Sequence, residues 1–322
     1  MEEKLVNILN EMADFLNISQ MKKLQEVLLH NLSEKKLPKN EISNEEYLRL
    51  FIDAKKIEGC SERTLDYYQV TIEQLLMYVK TPIRKITTEE LRQYLVEYQN
   101  KNHCSNVTVD NIRRNISSFF SWLEEEDFIL KSPMRRIHKI KTKTVVKEII
   151  SDESIEKMRD GCHSLRDLAI IDLLYSTGIR VGELVNLDIN NVNLEQRECI
   201  VFGKGDKERR VYFDAKAKIH LQEYIESRKD DNPALFVTLD HPFDRLKISG
   251  VEIRLRELGK ALNLSRIHPH KFRRTMATRA IDKGMPIEQV QKLLGHSQID
   301  TTMQYAIVNQ NNVKTSHQKY IA

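Results

Sequence analysis

An arginine just after a tight turn is the first residue that could act on an anionic substrate. Arg180 follows Gly178, which is predicted to end an apolar helix over residues 165–176, and Glu183 lies three residues further on the same helical face. A surface ion pair between Arg180 and Glu183 explains this spacing. A guanidinium that leaves a glycine turn is also well placed to hold an oxyanion. Both interpretations remain open for Arg180 taken alone.

A histidine and a second arginine occur together near the start of another predicted helix. His270 and Arg273 are three residues apart, and Pro269 is a favoured first residue of a helix. Their side chains therefore project together near a helix N-terminus, where an anion is stabilised. An isolated H-x-x-R pattern is weak, because chance supplies it often.

Three further residues in this half of the chain could take part in chemistry. Lys204 lies in a glycine-rich turn, His296 follows Gly295 past the end of a predicted helix, and Tyr305 comes nine residues later. Taken singly, His296 is explained as a capping histidine and Tyr305 as a core residue. The order and spacing of the whole set change this balance.

Together these residues resemble the tyrosine recombinase family, which includes the phage integrases and the Xer recombinases. The resemblance extends from about residue 42 onward and is sharpest in four segments. They are residues 174–184 (LYSTGIRVGEL), 203–209 (GKGDKER), 269–273 (PHKFR) and 293–305, which begins LLGHS. Each segment is modest alone, whereas all four in this order are highly specific.

The resemblance implies a role for each residue. Arg180 and Arg273 would hold the non-bridging oxygens of a DNA phosphate, where negative charge builds during attack. His270 and His296 would add hydrogen bonds or move protons. Tyr305 would attack to give a 3′-phosphotyrosyl bond and a free 5′-hydroxyl, with cationic or basic neighbours to activate a phenol that ordinarily titrates near pH ~10. Because the covalent bond conserves energy, strands could be rejoined without ATP.

By the same resemblance, Lys204 matches the family's general acid, which protonates the departing 5′-oxygen. Lys207 is a competing candidate on the same turn, and Lys204 is preferred because it occupies the G-K-G position. Glu183 is interpreted as a residue that orients its neighbours. Two positions depart from the family pattern, since Arg274 stands where many relatives have His and His268 where they often have Ser or Thr.

No cofactor and no metal are expected. The sequence has no G-x-x-x-x-G-K-[ST] phosphate loop and no carboxylate cluster suited to two magnesium ions. His270 and His296 have no thiol or carboxylate in zinc-like spacing. The four cysteines are far apart without a C-x-x-C pair, which favours free thiols in a reducing compartment over a disulfide framework.

The elements that must position this set are mostly helical, with a small β-hairpin. Runs of β-branched and aromatic residues at 198–202 and 209–213 flank a glycine-rich segment, which predicts a hairpin with Lys204 at its tip. These strands belong to a predicted α+β catalytic domain over residues 148–322. Its further predicted helices lie at 217–228, 251–262, 269–283 and 286–294.

The first half of the chain carries helical periodicity. Apolar positions predict four helices between about residues 42 and 130, with N-terminal signals at Ser61 and at Thr87-Thr88-Glu89-Glu90. By resemblance these helices form the family's SAM-like core-binding domain, residues 41–132. Two amphipathic helices are predicted in an N-terminal extension, residues 1–40, to which we assign no chemistry.

A basic segment separates the two predicted domains. From residue 131 to residue 147 every Asp, Glu, Lys or Arg position is Lys or Arg, which predicts an extended basic linker over residues 133–147. Such a linker is explained as a solubilising tether, or as a connector along a DNA backbone, where cations release counterions. The candidate DNA-binding residues are Arg113, Arg114, Arg135, Arg136 and Lys141, although an arginine pair such as 113–114 is more often a solvated face.

Composition sets outer limits on these interpretations. The 322 residues are 40% hydrophobic and 30% charged, a balance typical of a two-domain globular protein. A net charge of +4 and a pI near 8.7 permit nucleic-acid binding without arguing for it. The sequence opens MEEK, acidic where a secretory signal is basic, and no apolar run is long enough to span a bilayer. We therefore expect a cytoplasmic protein with no membrane partner.

The resemblance also implies an assembly. The two domains would grip double-stranded DNA as a C-shaped clamp, and a homo-tetramer would act on two DNA sites, with or without a helper protein. Residues after Tyr305 would dock on a neighbouring protomer, with Val313 and Tyr320 as the docking side chains.

Several functions remain open within this expectation. Xer-type dimer resolution and integration or excision of a mobile element are both compatible with the resemblance. A type IB topoisomerase would relax supercoils with related chemistry. A catalytically idle DNA-binding regulator is the non-enzymatic alternative, and it is disfavoured because every reacting position is filled.

Overall fold

The computed structural model describes residues 8–13, 15–32, 42–142, 148–203, 208–305 and His317. The chain divides into two units, Met1–Thr144 and Val145–Ala322, and each has its own hydrophobic core. Within the described ranges, no helix combines the length and apolar character that a membrane span requires.

The first unit is built from helices. A short helical segment at 8–12 precedes α1, Ile18–Leu32. Helices α2 to α5 span Asn44–Ile57, Glu62–Val79, Thr88–Asn102 and Asn106–Glu125. Short 3₁₀ turns lie at Ile83–Lys85 and Pro133–Arg136. The four helices predicted between residues 42 and 130 are therefore confirmed.

Local hydrogen bonds determine where these helices begin. Thr87 and Glu90 form a capping box at α4, in which each side chain accepts a hydrogen bond from the other residue's backbone N–H. Ser43 caps α2 by accepting from the backbone N–H of Glu46 at 3.2 Å. Ser61 is the N-cap of α3 as predicted, with its hydroxyl 2.9 Å from that of Thr64.

Aromatic side chains fill the core of this unit. Phe51 on α2 and Phe119 and Phe120 on α5 are fully buried. The Phe51 ring meets those of Tyr68 and Phe119 edge-on, at centroid distances of 5.2 Å. Such pairs add about 0.5–1.5 kcal/mol to the burial of their apolar surface. These contacts hold α2, α3 and α5 together.

Residues 133–142 pack on this helical core. Met134 is buried within it, and Ile137 and Ile140 pack against it. The backbone N–H of Ile140 donates to Asp110 Oδ1 at 3.0 Å. The segment 133–142 is thus attached to the first unit by apolar side chains at every third position, and its role as a linker between the two domains stays a prediction. Residues 143–147 of that predicted linker lie outside the described residues.

The second unit combines helices with a small sheet. Strands β1 to β3 span Val192–Asn193, Glu198–Phe202 and Glu208–Tyr212, and pair antiparallel in that order. The predicted hairpin is confirmed as β2 and β3, whereas the two-residue β1 is too short to show a periodic pattern. Helices α6 to α13 span Asp152–Asp160, Leu165–Thr177, Val181–Asn186, Ala215–Ser227, Ile248–Ala261, Pro269–Asp282, Ile287–Leu294 and Ile299–Met303.

Helix α7 is the central element of the second unit. Its apolar residues from Ala169 to Leu174 are buried, and α9 and α11 pack on it. The buried carboxylate of Asp172 interrupts this apolar run. It accepts a hydrogen bond from Arg159 Nε at 2.7 Å and another from the His220 ring, so its charge is compensated.

Candidate active site

The turn from α7 to α8 positions Arg180. Gly178 ends α7 in the left-handed region, at φ 63°, and a Cβ there would come within 2.3 Å of Met276. Arg180 is the N-cap of α8, and its backbone N–H donates to Glu183 Oε2 at 2.8 Å. Its Nη1 donates to Glu183 Oε1, also at 2.8 Å. The predicted pair exists, but the Glu183 carboxylate is buried, and the 43% exposed Arg180 side chain remains open to solvent.

Arg273 is buried in the same site, at the start of the second turn of α11. Its Nη1 donates to the carbonyl of Gly178 at 2.8 Å, and its Nη2 to the carbonyl of Leu294 at 2.6 Å. These carbonyls lie at the C-terminal ends of α7 and α12, where the helix dipole stabilises a cation. Arg180 reaches the carbonyls of Leu294 and Gly295 at 3.5 and 3.4 Å, so the two guanidiniums converge on the end of α12.

The proximity of two cations makes the site favourable for an anion. Burial, followed by the charge of Arg180, lowers the pKa of Arg273 to about 10. Arg273 therefore keeps its proton at neutral pH. An anionic group bound by both guanidiniums would offset their repulsion and accept charge-assisted hydrogen bonds.

His296 connects Arg273 to the last described helix. It follows Gly295, which caps α12 at φ 64°; its Nε2 lies 2.9 Å from Arg273 Nη2 and its Nδ1 2.8 Å from Thr302 Oγ1. Because a guanidinium only donates, Nε2 accepts, and the Nδ1–H donates to Thr302. Burial, with the charges of Arg273 and Arg180, lowers the pKa of His296 to about 4. The imidazole is therefore neutral at neutral pH.

Tyr305 lies against this histidine. The two rings stack with centroids 6.0 Å apart and an interplanar angle of 23°. The tyrosine is partly buried against the small cluster of Met276, Ala277, Val290 and Leu294. The ring therefore packs partly as a core residue would. It also lies beside His296, which is hydrogen-bonded to Arg273.

The remaining predicted residues are less fully defined. His270 is exposed in the first turn of α11, and it is among the groups that lower the pKa of His296, which places it near that histidine. Lys204 and Lys207 lie outside the described residues, as do Val313 and Tyr320. The choice between the two lysines as general acid stays a prediction.

An open cleft of about 730 Å³ gives access to the site. Its lining includes Arg180, His296 and Gly203, the last described residue before the predicted lysines. The end of β2 therefore borders the cleft. A phosphate in this cleft would meet the exposed part of Arg180.

Arg209 was missed by the sequence reasoning. On β3 it donates from Nη1 and Nη2 to the two carboxylate oxygens of Glu183, at 2.7 Å each, and from Nε to the carbonyl of Leu293 at 3.0 Å. Strand alternation was the available signal, because Arg209 shares a face with the buried Val211, whereas Arg210 is exposed. Burial raises the pKa of Glu183, but hydrogen bonds from Arg209 and the Arg180 backbone outweigh it and keep that pKa below its usual value.

The candidate DNA-binding residues of the first unit differ in how far their charges are compensated. Arg113 and Arg114 both donate to Asp110, at 2.8 and 3.0 Å. Arg135 pairs with Glu124 at 2.6 Å. Arg136 and Lys141 are exposed.

Among the described residues, no group of three or more His, Cys, Asp or Glu could hold a metal ion. All four cysteines are free; Cys199 is buried and the others are partly buried.

Two family profiles match the sequence. One, described as "Phage integrase family", matches residues 142–312, and the other, "Phage integrase, N-terminal SAM-like domain", matches residues 47–129. Similar sequences include proteins described as tyrosine recombinase XerC. That of Leptospira interrogans is 31% identical over 289 residues, covering 85% of this chain and 92% of the relative. One from Staphylococcus aureus is 30% identical over 281 residues, covering 82% and 92%.

Solved structures share the fold. A crystal structure of XerA recombinase is 26% identical with a TM-score of 0.50, and the match covers 86% of this chain and 99% of that chain. The Tn1549 transposon integrase in complex with a circular intermediate DNA has a TM-score of 0.70 at 18% identity, covering 85% and 98%. XerH site-specific recombinase bound to its palindromic difH substrate has a TM-score of 0.68 at 18% identity, covering 99% and 95%.

Proposed function

The chain belongs to the phage integrase family of tyrosine recombinases, and from this membership we propose that it cuts and rejoins DNA at specific sites through a covalent bond to Tyr305. The observation that carries the proposal is the convergence of Arg180 and Arg273 on the end of α12, with His296 between Arg273 and the Tyr305 ring. The arrangement supplies two fixed cations for a phosphate and a phenol beside them.

In the first step the scissile phosphate would lie in the cleft with its non-bridging oxygens against the exposed Arg180, and the charge of the buried Arg273 would act on them from close by. The negative charge that develops on these oxygens during attack is then stabilised by groups already held in place. Arg273 is preorganised by two backbone carbonyls, and Arg180 by Glu183. Neither arginine has to be reoriented as the charge develops.

The Tyr305 oxygen attacks phosphorus, and the bond to the 5′-oxygen breaks. His296 is a poor acceptor for the phenol proton, because its pKa is about 4 and its Nε2 already accepts from Arg273. We propose that His296 holds Arg273 in place. His270, the other imidazole of the set, would then accept the phenol proton of Tyr305. Lys204 would return a proton to the departing 5′-oxygen. Rejoining is the reverse sequence, in which a 5′-hydroxyl attacks the phosphotyrosyl bond and frees Tyr305.

We extend the proposal to the partners. Double-stranded DNA would contact both units, and four copies of the chain would act on two sites. The solved Tn1549 integrase and XerH structures are described as DNA complexes, and a lambda integrase structure is described as a dimer bound to a core site. In the first unit the exposed Arg136 and Lys141 are the side chains we assign to DNA phosphates, ahead of the paired Arg113, Arg114 and Arg135.

Covalent trapping tests the central proposal. The protein is incubated with a pool of nicked duplexes of random sequence, and protein–DNA adducts are separated on a denaturing gel. The nick lets the short fragment that carries the free 5′-hydroxyl diffuse away. Because this hydroxyl can then no longer attack the phosphotyrosyl bond, the adduct accumulates. We expect an adduct with the wild type and with Tyr320→Phe, and none with Tyr305→Phe. An undiminished adduct with Tyr305→Phe would show that another group is the nucleophile.

A further inference from the structure

We propose that Arg209 is a positioning residue of the cleavage reaction, which fixes Glu183 and through it the guanidinium of Arg180. The inference rests on the proposed function, because it depends on Arg180 as a ligand of the scissile phosphate. Arg209 itself is held away from solvent, with a side chain that is 12% exposed, and therefore acts through its neighbours.

The hydrogen bonds around Glu183 support this role. Its Oε1 accepts from Arg180 Nη1 at 2.8 Å and from Arg209 Nη1 at 2.7 Å. Its Oε2 accepts from the Arg180 backbone N–H at 2.8 Å and from Arg209 Nη2 at 2.7 Å. The carboxylate is buried, and each of its two oxygens accepts one hydrogen bond from Arg180 and one from Arg209. Its plane is thus set by the bidentate Arg209, and that plane in turn sets the direction of Arg180.

A second attachment links Arg209 to the other phosphate ligands. Its Nε donates to the carbonyl of Leu293 at 3.0 Å, and a Cβ at Gly295 would lie 3.1 Å from its Cδ. The next carbonyl, that of Leu294, accepts from Arg273, and His296 lies two residues further on. One side chain on β3 thus joins the start of α8 to the turn that ends α12. These are the two segments on which Arg180, Arg273 and His296 depend.

Charge gives a further reason for an arginine at this position. A buried carboxylate paired with Arg180 alone would neutralise the cation that the phosphate needs. With Arg209 present, the cluster of two guanidiniums and one carboxylate keeps a net positive charge. The charge of Arg180 is then available to DNA, while Glu183 remains compensated.

The test compares Arg209→Gln and Arg209→Lys with Arg210→Gln as the matched control. Arg210 is the next residue on the same strand, its side chain is 61% exposed, and it pairs with Glu198 at 3.4 Å. Adduct formation is measured in single-turnover experiments on the DNA recovered by trapping. A second substrate carries a methylphosphonate at the scissile position, where a methyl group replaces one charged non-bridging oxygen and reduces the need for a cation.

We expect Arg209→Gln to slow cleavage of the normal phosphate by about 10²-fold, since misplacing a catalytic group costs about that much. On the methylphosphonate the loss should fall below about 10-fold, as it should for Arg180→Gln. Arg209→Lys keeps a cation on the buried carboxylate and folds, but it lacks the bidentate geometry and should show the same substrate dependence in weaker form. Arg210→Gln should match the wild type on both substrates.

Two results would overturn the inference. One is a wild-type rate for Arg209→Gln on the normal phosphate. The other is an equal loss on both substrates by both Arg209 variants, which is the signature of a purely structural residue. Failure of the proposed function is distinct, because the wild type and Arg210→Gln would then form no adduct at all.

Discussion

Arg180 and Arg273 bring like charges into one small volume, and the surrounding groups that compensate them are of different kinds. Glu183 supplies a full negative charge to Arg180. The C-terminal carbonyls of α7 and α12 supply partial charges to Arg273, and the neutral His296 supplies a lone pair. An uncompensated buried ion costs several kcal/mol, so these acceptors are needed for folding as well as for catalysis. Only Arg180 combines compensation with exposure to the cleft.

Thr302 is predicted to act through the tautomer of His296. Its fully buried hydroxyl accepts from His296 Nδ1 at 2.8 Å, and this bond leaves Nε2 free of a proton and able to accept from Arg273. Thr302→Val keeps the shape and removes the acceptor. We expect adduct formation to slow by roughly 10-fold, the equivalent of one hydrogen bond of about 1–1.5 kcal/mol. Thr238→Val, which loses a hydrogen bond to the Asp240 carbonyl, is the control, and equal rates for the two variants would contradict the role.

The lowered pKa of His296 predicts a pH-dependent stability. Its folded-state pKa of about 4 lies below the ordinary value of 6.5, so the unfolded chain binds this proton more readily. The histidine therefore stabilises the fold above pH 6.5, and this contribution is lost as the pH falls toward 4. Melting temperatures measured across this range should fall more steeply for the wild type than for His296→Gln. Parallel curves would show that the imidazole is not shielded as the structure indicates.

At the scale of elements, the ends of helices build the site. Helices α7 and α12 each end at a glycine with a left-handed backbone, and the carbonyls at these ends hold Arg273. The N-terminus of α8 presents Arg180, and the first two turns of α11 carry His270 and Arg273. The helices themselves are held by apolar packing.

Gly295 is predicted to be needed for a reason beyond its backbone. A Cβ there would meet Arg209 at 3.1–3.2 Å, whereas Gly284, with φ 91°, has nothing within 4 Å of a Cβ. Gly295→Ala and Gly284→Ala should each destabilise by about 1 kcal/mol because of the left-handed backbone. Melting temperatures should fall by about 2–4 °C in both. Only Gly295→Ala should also slow adduct formation. Equal rates of adduct formation for the two variants would show that the contact with Arg209 does not affect cleavage.

The sequence was informative wherever the signal is local. Capping residues such as Thr87, the glycine after α7 and the alternation around residues 198–213 predicted helix ends and the hairpin that the structure contains. The order of Arg180, Arg273, His296 and Tyr305 predicted a set that the fold brings together.

Long-range pairings were not predictable in this way. Arg209 meets Glu183 across 26 residues and Leu293 across 84, and no local pattern encodes such partners. The charges of residues 133–142 suggested an extended linker, although Met134, Ile137 and Ile140 attach the segment to the core. Burial of these apolar side chains outweighs the solvation of the surrounding charges, which can stay at the surface.

At the scale of the whole molecule, DNA binding is predicted to depend on exposed rather than paired cations. Arg136→Gln or Lys141→Gln should weaken duplex binding at low salt and reduce the slope of log affinity against log salt by about 0.9 each. Arg113→Gln should leave that slope unchanged, because Arg113 is 13% exposed and bonded to Asp110. Fluorescence anisotropy over a salt series measures these slopes. Identical slopes for all three variants would place the DNA on another surface.

Assembly of the recombining complex is predicted to depend on the residues beyond Tyr305. Cleavage of one strand requires only the site within one unit, whereas strand exchange requires protomers to be held on two DNA sites at once. If residues 309–322 join neighbouring protomers, their deletion removes the contacts between protomers and spares those with DNA. Duplex affinity and adduct formation on a single nicked site should then remain near the wild type. Synaptic complexes on native gels, and recombinant product, should fall by roughly 10-fold or more as multivalent binding is lost. Unchanged recombination by the shortened chain would assign the contacts between protomers to the folded units themselves.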